Sequence, residues 1–254
     1  MTSRGLLWLV GAFILAPIAA TAVAATSVDF SQGPWGGGVT ADWIAAAAVA
    51  LAPVLGRSLT IAFLVVAVDL VLAVVLSWWL ARHPSWLTQL VRYALNVPMA
   101  VPGIALSVAL VSAYPALRPS GALLVAAHIV FTLPFAVAAL TPVLAAPALR
   151  GDEEVAATLG ASPARIAATV TAPALALAAA QSASMIFALS FGEFNLSFFV
   201  NPPATPTVPF ALFDAYSTQR LEYASAQTTI FIATIIPILA IIVLVRRAAI
   251  RSTT

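Results

Sequence analysis

Charge is what this chain has least of: 8% of its 254 residues are Asp, Glu, Lys or Arg. A soluble domain carries roughly 25%. A water-facing surface cannot be built from so few charges, so the chain belongs in lipid. Cysteine is absent, which excludes disulfides and thiolate metal sites within the chain. Lysine is absent too, so all 11 basic residues are arginines. They are scattered, and the net charge is only +2, which argues against a nucleic-acid partner. No Gly-x-x-x-x-Gly-Lys-Ser/Thr stretch occurs, so ATP binding through a phosphate loop is excluded here. Strand-period alternation is also missing, which excludes a membrane β-barrel.

What is present is a series of apolar runs, each about 20 residues long, the length that crosses a bilayer core. Backbone groups in lipid must be satisfied internally, so these runs are helices. Six are readable: roughly Gly5–Ala25, Ser58–Leu80, Tyr93–Ala113, Gly121–Ala146, Ala174–Phe191 and Gln227–Val245. The expected fold is all-α and polytopic, a single domain over 1–254. It comprises an N-terminal helix and outer loop (1–56) and a core (57–254). The first run has Arg4 before it and small residues Thr21–Ala25 after it, as a signal peptide would. It is expected to stay as a helix.

Arginine placement sets an orientation. With the N-terminus inside, Arg4, Arg82, Arg92, Arg150, Arg165, Arg246, Arg247 and Arg251 are cytoplasmic. Only Arg57, Arg118 and Arg220 lie outside. That is the positive-inside pattern. Trp35, Trp43, Trp78, Trp79 and Trp86 fall near the boundaries, as an aromatic belt would. Outside, Gly33-Pro-Trp-Gly-Gly-Gly38 predicts a flexible turn, and the Ala-rich stretch around Trp43 predicts a segment along the interface. Residues 192–226, with four prolines, predict a stiff outer loop.

One polar interruption stands out on the cytoplasmic side, residues 150–173. Asp152 is placed to cap a short helix. Glu153 and Glu154 follow in its first turn, where the helix dipole favours anions. Gly160 tolerates positive φ and predicts a stop. Ser162-Pro163 reads as an N-cap with proline at the first position. A second short helix and then Pro173 lead into the next span.

The spacing of Glu154, Ala156, Gly160, Val170 and Pro173 resembles the cytoplasmic "EAA" loop of permease subunits of binding-protein-dependent ABC importers. Val155 and Ala172 depart from the usual alanine and leucine of that loop. Pro98-Met-Ala-Val-Pro-Gly103, His128-Ile-Val-Phe-Thr-Leu-Pro-Phe135 and Phe194-Asn-Leu-Ser-Phe-Phe199 are similar to stretches of the polyamine, iron(III), thiamine and phosphonate branch. The resemblance runs from about Arg57 to the C-terminus. It implies a type I importer permease in a bacterial inner membrane, with both termini cytoplasmic. Its implied partners are two ATPase subunits, a second permease copy, identical or paralogous, and a periplasmic or lipid-anchored binding protein. ATP and magnesium would be held by the ATPase, so this chain would be no enzyme and would carry no cofactor or metal. The residues expected to couple to the ATPase are Asp152, Glu153, Glu154, Ala156, Ala157, Gly160, Ser162, Arg165 and Pro173. The solute expected first is a polyamine or aminophosphonate, then iron(III) or thiamine.

Within the spans, Asp69 is either a carboxylate on the solute path or a link between helices. His128 is expected mainly to pack or to bond between helices. Gln181, Ser182, Ser184 and Ser190 lie on the helix that the resemblance assigns to the path. Glu193 and Asn195 follow at its outer end, and Asn96 is placed to cap a helix. A different function class is an ion-coupled secondary transporter, with Asp69, His128 and Glu193 as a relay. It is disfavoured because no inverted repeat is visible. A non-transporting scaffold would not need the 150–173 loop.

Overall fold

A computed structural model describes residues 3–202 and 205–251. Among these the chain is helical, with no strand and a single isolated bridge between Ser27 and Val39. The helices are α1 (Ser3–Ala25), α2 (Asp42–Arg82), α3 (Trp86–Ala100), α4 (Gly103–Ala113), α5 (Ala122–Ala145) and α6 (Pro147–Thr158). They continue with α7 (Pro163–Ile166), α8 (Ala172–Phe191), α9 (Ser197–Val200), α10 (Val208–Thr218) and α11 (Leu221–Arg251). Five stretches are long and apolar enough to cross a membrane, or six if the bent α3–α4 pair is one span. The chain is thus an all-α protein with the helices of a multi-pass membrane protein.

Two compact units emerge, one of residues 1–57 with 206–237, the other of 58–205 with 238–254. The division after Arg57 falls inside α2. In the first unit Ala25, Ala47 and Ala226 are fully buried where α1, α2 and α11 meet, with Trp43, Ile44, Tyr223 and Ile230 around them. Alanine suits that crossing, because close backbone approach, not hydrophobicity, drives helix pairing in lipid. The loop after α1 is closed by hydrogen bonds: Asp29 N–H donates to Gly36 O at 2.9 Å, and Val28 N–H to Gly38 O at 3.1 Å. The flexible turn expected at 33–38 is therefore a built one. A side chain on Gly36 would overlap the Asp29 carbonyl and lie 2.7 Å from Gln32 Cβ. The stretch around Trp43 is no separate interfacial segment; it is the first part of α2.

The second unit is organised on α5 and α8, which pack along much of their length. Leu123, Leu124, Ala127, Leu140 and Leu144 of α5 meet Leu175, Ala178 and Ile186 of α8 in one apolar core. The expected straight span over Tyr93–Ala113 is corrected here. It is two helices bent by 107° at Val101-Pro102. Proline lacks an N–H and forces the residue before it into extended backbone, and Val101 has φ −91° and ψ 131°. Helix α4 then starts hard against 193–196: a Cβ on Gly103 would sit 3.1 Å from Asn195 Cβ. The motif at 98–103 and the one at 194–199 thus meet. Asn96 does not cap α3; its Nδ2 donates to Arg92 O one turn back. Within 192–226, where a stiff loop was expected, the described residues form α9, α10 and the start of α11.

Candidate functional site

The polar 150–173 segment forms a compact device between α5 and α8. Helix α6 begins at Pro147, preceded by Ala146 in extended backbone. This corrects the expectation for Asp152, which sits mid-helix rather than at a cap; Glu153 and Glu154 are likewise past the first turn. The sequence signal was Ala146-Pro147, since proline is pre-organised for a helix's first turn. The stop is as expected. Gly160 takes φ +85°, its N–H donates to Ala157 O at 2.9 Å, and Ala161 N–H donates to Ala156 O at 3.0 Å. This is the Schellman closure, which satisfies carbonyls the helix leaves open. Ser162 Oγ then accepts the Arg165 N–H, with Pro163 at the first position of α7.

No break separates α7 from α8. A π-helical turn, Ala167–Thr171, joins them, so the second short helix is the head of a membrane-length stretch, Pro163–Phe191. Pro173 explains the local geometry: it has no N–H to return to Thr169, and Ala172 N–H reaches back to Ala167 O instead.

Helix α6 has two distinct faces. Leu149 is buried, and Glu153 and Ala156 are half-buried on the same side. The opposite side exposes Asp152, Glu154, Ala157, Val155 at 59% and Leu159 at 83%. Two large apolar side chains beside two acids give this short helix an exposed surface of mixed character. Ser162, Arg165 and Pro173 are also exposed.

On the inner face the acids behave differently. Glu153 Oε2 pairs with the Arg82 guanidinium at the end of α2, and its Oε1 accepts the Thr171 hydroxyl at 2.7 Å. The Arg150 guanidinium donates to Ala81 O. Arg92 donates to Leu80 O at 3.3 Å. Open carbonyls at a helix C-terminus carry partial negative charge, so cations are favoured there. Thr171 had no sequence signal as a partner; Arg82 and Arg150 stood out only as charges.

The residues expected along a path divide. Asp69 is fully buried; one carboxylate oxygen accepts the Thr132 hydroxyl and the other has no protein donor. His128, also buried, contacts Ser190 Oγ at 2.8 Å through Nδ1 and Ser197 Oγ at 2.9 Å through Nε2. Thr132 and Ser197 are the members sequence reasoning missed; Thr132 is one helical turn from His128, the only available signal. Ser182 and Ser190 lie buried on α8, whereas Gln181 and Asn195 are exposed and Ser184 is half-buried. Glu193 is half-buried and accepts the Leu196 N–H at 2.5 Å. Burial raises its pKa above the ordinary value. No group of three or more His, Asp or Glu able to hold a metal occurs among the described residues.

Compared with protein-family profiles and with curated proteins, the chain matches none.

Proposed function

We propose that this chain is the transmembrane permease subunit of an ATP-driven ABC importer. The observation that carries the reading is the exposed face of α6. A short helix closed by Gly160 presents Asp152, Glu154, Val155 and Leu159 outward. It is tied at its back to membrane-length helices on either side. A part that takes a push from a soluble motor and passes it into the membrane needs such an outer docking face and a stiff mounting. In this reading the motor is a pair of separate ATPase subunits, a second permease completes the path, and a binding protein delivers the solute. The solute classes keep the order that the resemblance implies, polyamine or aminophosphonate before iron(III) or thiamine.

The ion-relay alternative gains little from the geometry. His128 has both nitrogens engaged by serines, and Glu193 closes a local turn. The test is affinity purification of the tagged chain from its source membranes. An ATPase subunit should co-purify, and Glu154→Ala with Leu159→Ser should release it while the helical content holds. Recovery of the intact chain with no ATPase partner would overturn the proposal.

A further inference from the structure

The inner face of α6 makes a joint whose parts come from four helices. Glu153 uses both carboxylate oxygens, one on Arg82 of α2 and one on Thr171 in the π-turn ahead of α8. Arg150, three residues earlier on α6, reaches the carbonyl of Ala81, and Arg92 of α3 reaches that of Leu80. Two guanidinium groups thus close the end of α2, and a carboxylate ties that end to the start of α8. The side chains of Arg82 and Glu153 are only 18% and 16% exposed. Partial burial matters, because a fully exposed ion pair adds little stability and screening is weaker away from water. The neighbouring Glu154 points outward and takes no part.

We infer that Glu153 is a positioning residue: it locks α6 to the end of α2 and to the head of α8, so that the three move as one body. Arg82 and Thr171 are its partners, and Arg150 and Arg92 hold the end of α2 in place. That the body transmits force from an ATPase rests on the function proposed above; that it is rigid does not. The π-turn makes the choice of partner meaningful. Its hydrogen bonding is wider than that of an α-helix, so Thr171 is where α8 would otherwise yield first.

The absence of cysteine allows paired spin labels without background. Labels go at Trp78→Cys on α2 and Thr158→Cys on α6, both exposed, in the full-length chain in lipid nanodiscs. The parent should show one narrow distance. Glu153→Ala should lose that single peak, and Thr171→Val should broaden it. The charge exchange Arg82→Glu with Glu153→Arg should recover it, and Glu154→Gln should leave it as it was. A peak unchanged by Glu153→Ala would overturn the joint. So would failure of the exchange to restore the peak in a chain of unaltered helicity. If the peak behaves as expected and no ATPase co-purifies, the joint stands and the importer reading falls.

Discussion

Asp69 is fully buried with one hydrogen-bond donor, Thr132. Its partner Thr132 also donates to His128 O at 2.7 Å, and one hydroxyl has one proton. Removing the carboxylate therefore strands no donor, and it removes an oxygen that has no protein partner. Interhelical polar contacts in lipid contribute about 1 kcal/mol. Asp69→Asn and Asp69→Leu should both unfold within a few degrees of the parent in detergent, followed by helical circular dichroism. A large drop for Leu with none for Asn would show that Asp69 holds more than Thr132. His128 is the contrasting case. With a serine on each nitrogen it is fully engaged, and a leucine there would leave one buried hydroxyl without its acceptor and the other without its donor.

At the level of elements, the turn at Gly160 is set by the backbone alone. Nothing lies within 4 Å of the position its Cβ would take, so substitution meets no clash. The cost is left-handed backbone, roughly 1–2 kcal/mol for an ordinary L-residue and less for asparagine. Gly160→Asn should keep the α6–α7 geometry. Gly160→Val or Gly160→Arg should open the Schellman closure and, in the importer proposed above, impair solute-stimulated ATP hydrolysis. Normal hydrolysis and uptake by a Gly160→Arg complex would remove the turn from the coupling path. The α3–α4 bend follows similar logic, with Pro102 acting on the residue before it.

Considered whole, the molecule's topology turns on that bend. Helix α4 has 11 residues, about 16 Å at 1.5 Å per residue, against a core of about 30 Å. Helix α4 alone is too short to cross, and the count reaches six only if the bent α3–α4 pair acts as one span. The orientation expected from the arginines requires that crossing, because without it α6 would fall on the outer side. A reporter inserted at Ser120 should be periplasmic, and one fused after Arg251 cytoplasmic. Ser120 on the cytoplasmic side would reduce the crossings to five and overturn the placement of α6.

Composition and run length were sufficient to read an all-α protein with membrane-length helices, because lipid leaves the backbone no other way to satisfy its hydrogen bonds. The Gly160 stop and the Ser162-Pro163 start were legible for a local reason: each depends on what a single residue permits its own backbone. Other features needed the tertiary fold. Glu153 and Glu154 are adjacent and chemically identical, yet one is locked inward and the other exposed, and only the packing of α6 against α2 and α8 separates them. The start of α6 at Pro147 displaced Asp152 from a capping role, since a proline five residues earlier nucleates the helix first. Asp69, the pair His128 and Thr132, and the serines Ser190 and Ser197 come from three distant stretches of the chain, and no local rule predicts which helix faces meet. That was decided by shape: α5 and α8 bring their small and polar residues together where close packing permits hydrogen bonds between them.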